Sequence, residues 1–119
     1  MIKKVMTSLK LQKTLHYKLQ QQVISDGYGM RGKSTWVIEA IERFLELPDY
    51  PELVDIADEM VDNLTEVVSI RMPLELADRI EKALIHIRRH YPAMEGVKSN
   101  VIRASIIQRL IRVSTSVTE

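Results

Sequence analysis

Two short stretches of the chain alternate apolar and polar residues with a period of two. Met6-Thr7-Ser8-Leu9-Lys10-Leu11-Gln12 and Val67-Val68-Ser69-Ile70-Arg71-Met72-Pro73 stand 61 residues apart and share the order Ser, apolar, basic, apolar. Alternation of this kind predicts a strand with one face buried. A run with helical period follows each strand. Leu15, Leu19 and Val23 form the apolar stripe of the first run, and Leu76, Ile80, Leu84 and Ile87 that of the second. The first three pairs keep the same offset, and each run has the single apolar face of an amphipathic helix. Pro73 stands just before its helix, where the missing N–H costs nothing.

A turn comes next in both halves. The first contains Gly27, Gly29 and Gly32; the second runs from His90-Tyr91-Pro92 to Gly96 and is four residues longer, so the offset becomes 65. Both turns lead into Lys-Ser, at Lys33-Ser34 and Lys98-Ser99. Serine at a helix start predicts an N-cap, its hydroxyl accepting from a free main-chain N–H. Trp36, Val37, Ala40, Ile41, Phe44 and Leu45 then recur with helical spacing. Val101, Ile102, Ser105, Ile106 and Leu110 answer them, with Arg109 at the Phe44 position. Trp36 reads as a core residue.

The chain therefore divides into strand-helix-helix (1–47), a linker (48–66) and a second strand-helix-helix (67–119), with one shared core. Pro48 and Pro51 end the first unit. Leu53, Ile56, Ala57, Met60, Val61 and Leu64 predict a further amphipathic helix in the linker, after which Thr65 or Glu66 leads into the second strand. Ser114 to Glu119 are expected to fray.

Composition narrows the class. At 119 residues the chain suffices for one compact domain and is marginal for two. With no cysteine, disulfides and thiolate metal sites are excluded. No apolar stretch approaches the roughly 18 residues of a membrane span, and the N-terminus lacks the apolar core of a secretory signal. A cytoplasmic protein without membrane contact is expected. The net charge of +1 conceals a strong pattern: +6 over residues 1–35, −9 over 39–66 and +4 over 67–119. Two basic segments flank an acidic one, which implies separate surfaces with the basic ones facing a polyanion.

The strand-to-helix run Ser69-Ile70-Arg71-Met72-Pro73-Leu74-Glu75-Leu76, with the repeated strand-helix-helix order around it, resembles the ribbon-helix-helix family, which includes the Arc and methionine repressors. The resemblance covers residues 5–47 and 67–113; Gln12 stands where the first copy would have the proline. Family members pair two identical chains, whose strands form an antiparallel ribbon above four interlocked helices. The resemblance implies that this chain carries both halves, a pseudo-twofold intramolecular dimer similar to the tandem forms among relaxosome accessory proteins of conjugative plasmids. The implied fold is mainly α with one two-stranded antiparallel ribbon formed by residues 6–11 and 67–72.

Physical reasoning supports that expectation. A unit of about 45 residues cannot bury enough surface alone, but two can share a core. A two-stranded ribbon fits the DNA major groove, about 12 Å wide. Strand alternation turns Leu9, Leu11, Ile70 and Met72 inward and leaves Met6, Ser8, Lys10, Val67, Ser69 and Arg71 facing out. Arg71 can present two donors to guanine O6 and N7, Lys10 can do so less rigidly, and the serines can donate or accept. Met6 and Val67 depart from the polar residues common in the family there and offer contact with a thymine methyl. The resemblance further implies that the second helix of each unit grips the DNA backbone at its start, through Lys33, Ser34 and Thr35 and through Lys98, Ser99 and Asn100. Helix N-termini favour phosphate, and Lys3 and Lys4 would add a flexible backbone contact.

Competing motifs are weaker. Gly27 to Ser34 reads GYGMRGKS and fits the Walker A pattern, but that loop needs a strand before it, and Thr14 to Asp26 have helical period. His86 and His90 lack a third metal ligand and sit beside Arg88 and Arg89. Nothing suggests catalysis or a cofactor. The expected function is sequence-specific binding of double-stranded DNA, as a transcriptional repressor or a conjugation accessory factor. The alternative is a protein-interaction module, such as an antitoxin, that uses its acidic linker or tail to bind a partner or to self-associate. Ten acids in residues 39–66 are expected to keep the linker away from the ribbon.

Overall fold

Seven elements alternate with short connections in the computed structural model, which describes residues 3–29, 31–59 and 62–117, with side chains of the last helix as far as Arg112. In chain order they are β1 (Lys4–Gln12), α1 (Lys13–Ser25), α2 (Lys33–Phe44), α3 (Tyr50–Glu59), β2 (Leu64–Pro73), α4 (Leu74–His90) and α5 (Val97–Val117). The protein is mostly helical with a single two-stranded antiparallel sheet.

The two period-two stretches pair with each other. Ser8 lies opposite Ser69, Met6 opposite Arg71, and Lys10 opposite Val67. Both strands exceed the spans anticipated from alternation alone, and one irregularity, between Leu11 and Gln12, leaves Thr65 as the extra residue. Asn63 turns the chain into β2 with φ of 50°, a left-handed conformation that asparagine tolerates better than most residues.

The inward faces of the ribbon join the helical stripes in one core. Leu9, Leu11, Val68, Ile70 and Met72 from the strands meet Leu15 and Leu19 of α1, Trp36, Ile41 and Phe44 of α2, Ile80 and Ile87 of α4, and Ile102 and Ile106 of α5. The Cα radius of gyration is 13.9 Å, close to the roughly 13–14 Å of one body of this length. The helices cross between halves: α2 packs on β2 and on α5, while α5 also reaches β1. Ser105, at the position equivalent to Ala40, is buried and returns its hydroxyl to the Val101 carbonyl at 2.7 Å.

Thr7 is the exception on the inward face. It is buried, and its Oγ1 has no hydrogen-bond partner among the described residues. The Thr7→Val variant keeps the shape and removes the unmatched hydroxyl, so it should raise unfolding stability by about 1 kcal/mol. Urea denaturation is the check; a loss of stability would show that the hydroxyl is solvated.

Several sequence expectations need correction. Ser34 and Ser99 are not N-caps: Gly32 caps α2 without a side-chain hydrogen bond, and α5 opens at Val97, so both serines lie inside the first turn. The linker helix occupies Tyr50–Glu59, and Leu64 belongs to β2; Met60 and Val61 lie outside the described residues. Pro51 and Val54 are the buried residues of α3, whereas Ile56 is exposed. The last helix continues to Val117 where fraying was expected, with 118–119 outside the described residues.

Candidate nucleic-acid interface

The outer face of the ribbon is open to solvent along its length. Met6, Ser8, Lys10, Val67, Ser69 and Arg71 are all exposed, with Met6 at 55% and Val67 at 64%, so large apolar side chains stand in water there. The antiparallel register places the serines face to face at the centre, their Oγ atoms 3.0 Å apart. Each hydroxyl retains hydrogen-bonding capacity beyond that contact. Lys10 and Arg71 fall at opposite ends and on opposite strands. Lys10 lies four positions along β1 from the Met6 that faces Arg71, roughly 13 Å along the ribbon at about 3.3 Å per residue. A face of this composition can offer hydrogen bonds at its centre, a cation towards each end and apolar contact beside each cation.

The start of α2 is tied to this face. The Arg71 main-chain N–H donates to Ser34 Oγ at 3.2 Å, so the hydroxyl expected to cap its own helix instead holds the neighbouring strand. Thr35 is exposed beside it, and Lys33 is half-buried. The turn before α2 is fixed from below. Gly27 and Gly29 have φ of 82° and 75°, which glycine adopts without strain. A Cβ on Gly32 would collide with the Tyr28 carbonyl. Asp26, at the end of α1, accepts from Trp36 Nε1 at 2.8 Å and from Gln22 Nε2 at 2.7 Å, anchoring α2 to α1. The GYGMRGKS run thus joins two helices, and the strand that a nucleotide-binding loop requires is replaced by α1.

The start of α5 is built differently. Lys98 and Ser99 are half-buried, but Asn100 is turned inward at 3% exposure. Its amide donates to Asp58 Oδ1 at 2.8 Å and to the Glu95 carbonyl at 3.1 Å, and its oxygen accepts from Arg103. These bonds engage the Asn100 side chain within the protein, whereas Lys98 and Ser99 beside it are partly exposed. Arg103, also buried, donates through Nε to the Lys10 carbonyl at 3.0 Å. Burial pulls this guanidinium below its ordinary range, and the nearby Asp58 carboxylate offsets part of that shift. A polar chain therefore runs from α3 through α5 to β1, and Asp58 contributes to the positioning of the ribbon.

Arg109 is the second buried cation that sequence reasoning missed. It donates to the Trp36 carbonyl at 2.7 Å and to Tyr28 Oη at 2.9 Å, and it lies 3.6 Å from Glu39 Oε1. Its guanidinium also sits 4.3 Å from the Trp36 ring centroid, within cation–π range. Tyr28 in turn donates to Glu39.

Lys3 and Lys4 are exposed at the ribbon end nearest Pro73, where the Leu74 N–H donates to the Lys3 carbonyl at 3.0 Å. The acidic segment divides. Its helical part, α3, packs on α5 and α4, but Glu66 belongs to β2, and Asp62 lies beside Gln12 and Thr65 at the far end of the ribbon. The expectation that the acidic linker lies away from the ribbon is corrected for Glu66, which is part of β2, and for Asp62 beside it. The His86 and His90 rings meet edge to face with centroids 4.8 Å apart, and His90 Nδ1 lies 3.0 Å from the His86 carbonyl. Among the described residues no cluster of three or more His, Asp or Glu could hold a metal ion, and no helix is long and apolar enough to cross a membrane.

No protein-family model, curated protein or solved structure was found to match this chain.

Proposed function

We propose that the protein binds double-stranded DNA sequence-specifically by laying the ribbon in the major groove, as a transcriptional repressor or an accessory factor in conjugation. One observation carries this reading: the paired strands present two opposed serines, Arg71 and Lys10 to solvent on a single narrow face. The inner face of the same strands is buried, so burial of an apolar surface does not account for these side chains. Arg71 would read guanine through paired donors and Lys10 a second position, while Met6 and Val67 touch thymine methyl groups. Lys33, Ser34, Thr35, Lys98, Ser99, Lys3 and Lys4 would hold backbone phosphates and fix the register without reading sequence.

The packing of α2 on β2 and of α5 on β1 supports the tandem ribbon-helix-helix reading, because each strand then carries the second helix of the other half. Such a role belongs in the cytoplasm, where the DNA is.

A salt series tests the proposal. With about four lysines on phosphate, log K should fall linearly with log salt at a slope near −4, roughly two orders of magnitude in affinity between about 50 and 200 mM. The competing reading, a protein-interaction module on the acidic linker, has the exposed Ile56 among exposed Glu52 and Glu59 in its favour. Failure to bind mixed duplex at low salt would select that reading.

A further inference from the structure

At the Arg71 end, the ribbon and α2 enclose an open depression of about 370 Å³. Lys4, Arg31 and Arg71 all line it, with the hydroxyls of Ser34 and Thr35 between them. The three cations are exposed, and none takes part in an ion pair among the described residues. Arg31 is in the turn before α2, within the GYGMRGKS run but with no role assigned to it from sequence. Three unpaired cations around one concavity repel each other, and an anion seated among them relieves that repulsion.

The equivalent positions at the other end are chemically different. The 61-residue offset takes Lys4 to Thr65 and Arg71 to Lys10, while the 65-residue offset takes Arg31 to Gly96 and Thr35 to Asn100. Three cations are thereby reduced to one. Asn100 is committed to Asp58 and the Glu95 carbonyl. Asp62 and Lys13 both line the surface beside Thr65, so one cation there is offset by a carboxylate, whereas no acid among the described residues lines the depression at the Arg71 end.

We infer that the depression is a backbone-phosphate clamp formed by Arg31 and Lys4 beside the base pair read by Arg71, and that the protein therefore binds DNA with fixed polarity, one half-site tightly and the other weakly. The inference rests on the DNA-binding reading and assigns Arg31 a role in it. Arg31 and Lys4 hold the phosphate as point charges and hydrogen-bond donors, with no covalent step. The weaker end keeps Lys98, Lys10 and the Lys13 that Asp62 offsets, so it is engaged but released first as salt rises.

The test uses the full chain and a duplex selected from a random pool. Hydroxyl-radical footprinting should show one half-site protected more deeply and to higher salt than the other. Arg31→Ala should reduce the salt slope by about one and selectively weaken protection of the stronger half. Thr65→Lys, which places a cation at the position matching Lys4, should steepen the slope by about one and strengthen the weaker half. Equal protection of both halves by the unaltered protein, or an unchanged slope for Arg31→Ala, overturns the clamp. If Arg71→Ala still weakens binding in that case, the ribbon reading stands without it; if neither variant alters binding, both fail.

Discussion

Replacing Arg71 by alanine is expected to weaken specific DNA binding by about 1–3 kcal/mol, roughly 5- to 150-fold, without lowering the melting temperature. The guanidinium is exposed on the outer face of the ribbon. The contact that Arg71 makes with Ser34 runs through the main-chain N–H, which alanine retains. Loss of binding with retained stability therefore isolates recognition from folding. Discrimination should relax at one base pair, because two donors matched to guanine O6 and N7 have been removed while the phosphate contacts remain. Arg71→Lys should recover only part of the discrimination, since an ammonium lacks the planar donor pair. Measured by titration against the selected duplex and its single-base variants, an affinity loss equal on all sequences would assign Arg71 to the backbone instead.

The second large effect concerns stability. Arg109→Ala should cost about 2–4 kcal/mol, seen as a fall in Tm of roughly 8–16 °C. The alanine leaves the Trp36 carbonyl without its donor and opens space over the indole ring. Glu39 is partly exposed, so the ion pair itself contributes little of that sum. Arg109→Met, which keeps the apolar stem against Trp36, should lose less than the alanine. Thermal unfolding followed by Trp36 fluorescence measures both variants; equal losses would place the whole effect in the hydrogen bonds.

Those two arginines show where sequence carries structural information and where it stops. Arg71 was legible because strand alternation is a local rule: once Ile70 and Met72 are inward, Arg71 faces out. The pairing of the two strands followed from the repeated Ser-apolar-basic-apolar order, and the helical stripes of α1, α2, α4 and α5 from their spacing. Arg109 was not legible. An arginine within a helical stripe reads as solvated, and its burial depends on Trp36 and Tyr28, 73 and 81 residues earlier in the chain. The burial of Asn100 was hidden for the same reason, since its partner Asp58 belongs to a helix 42 residues away. The serine caps failed differently. Residue preference at helix starts is a tendency, and here Gly32 takes the cap position while Ser34 serves the Arg71 main chain. Arg31 carried no signal, because a lone cation in a turn acquires meaning only when folding brings Lys4 and Arg71 around it.

The acidic segment has a structural use that charge counting does not reveal. Through Asp58, Asn100 and Arg103 it reaches the main chain of β1 at Lys10. The side chain of Lys10 is thus left free on the outer face while its carbonyl is held from beneath. A ribbon that reads DNA gains from such support, because residues held in place before binding lose less conformational freedom on forming the complex.

The most direct test of groove recognition is methylation interference on the selected duplex. Dimethyl sulfate marks guanine N7 in the major groove and adenine N3 in the minor groove. If the ribbon reads DNA as described, modification of guanine N7 at the base pairs facing Arg71 and Lys10 blocks binding, and modification of adenine N3 between them does not. Interference confined to adenine N3, with guanine N7 freely tolerated, would contradict the account.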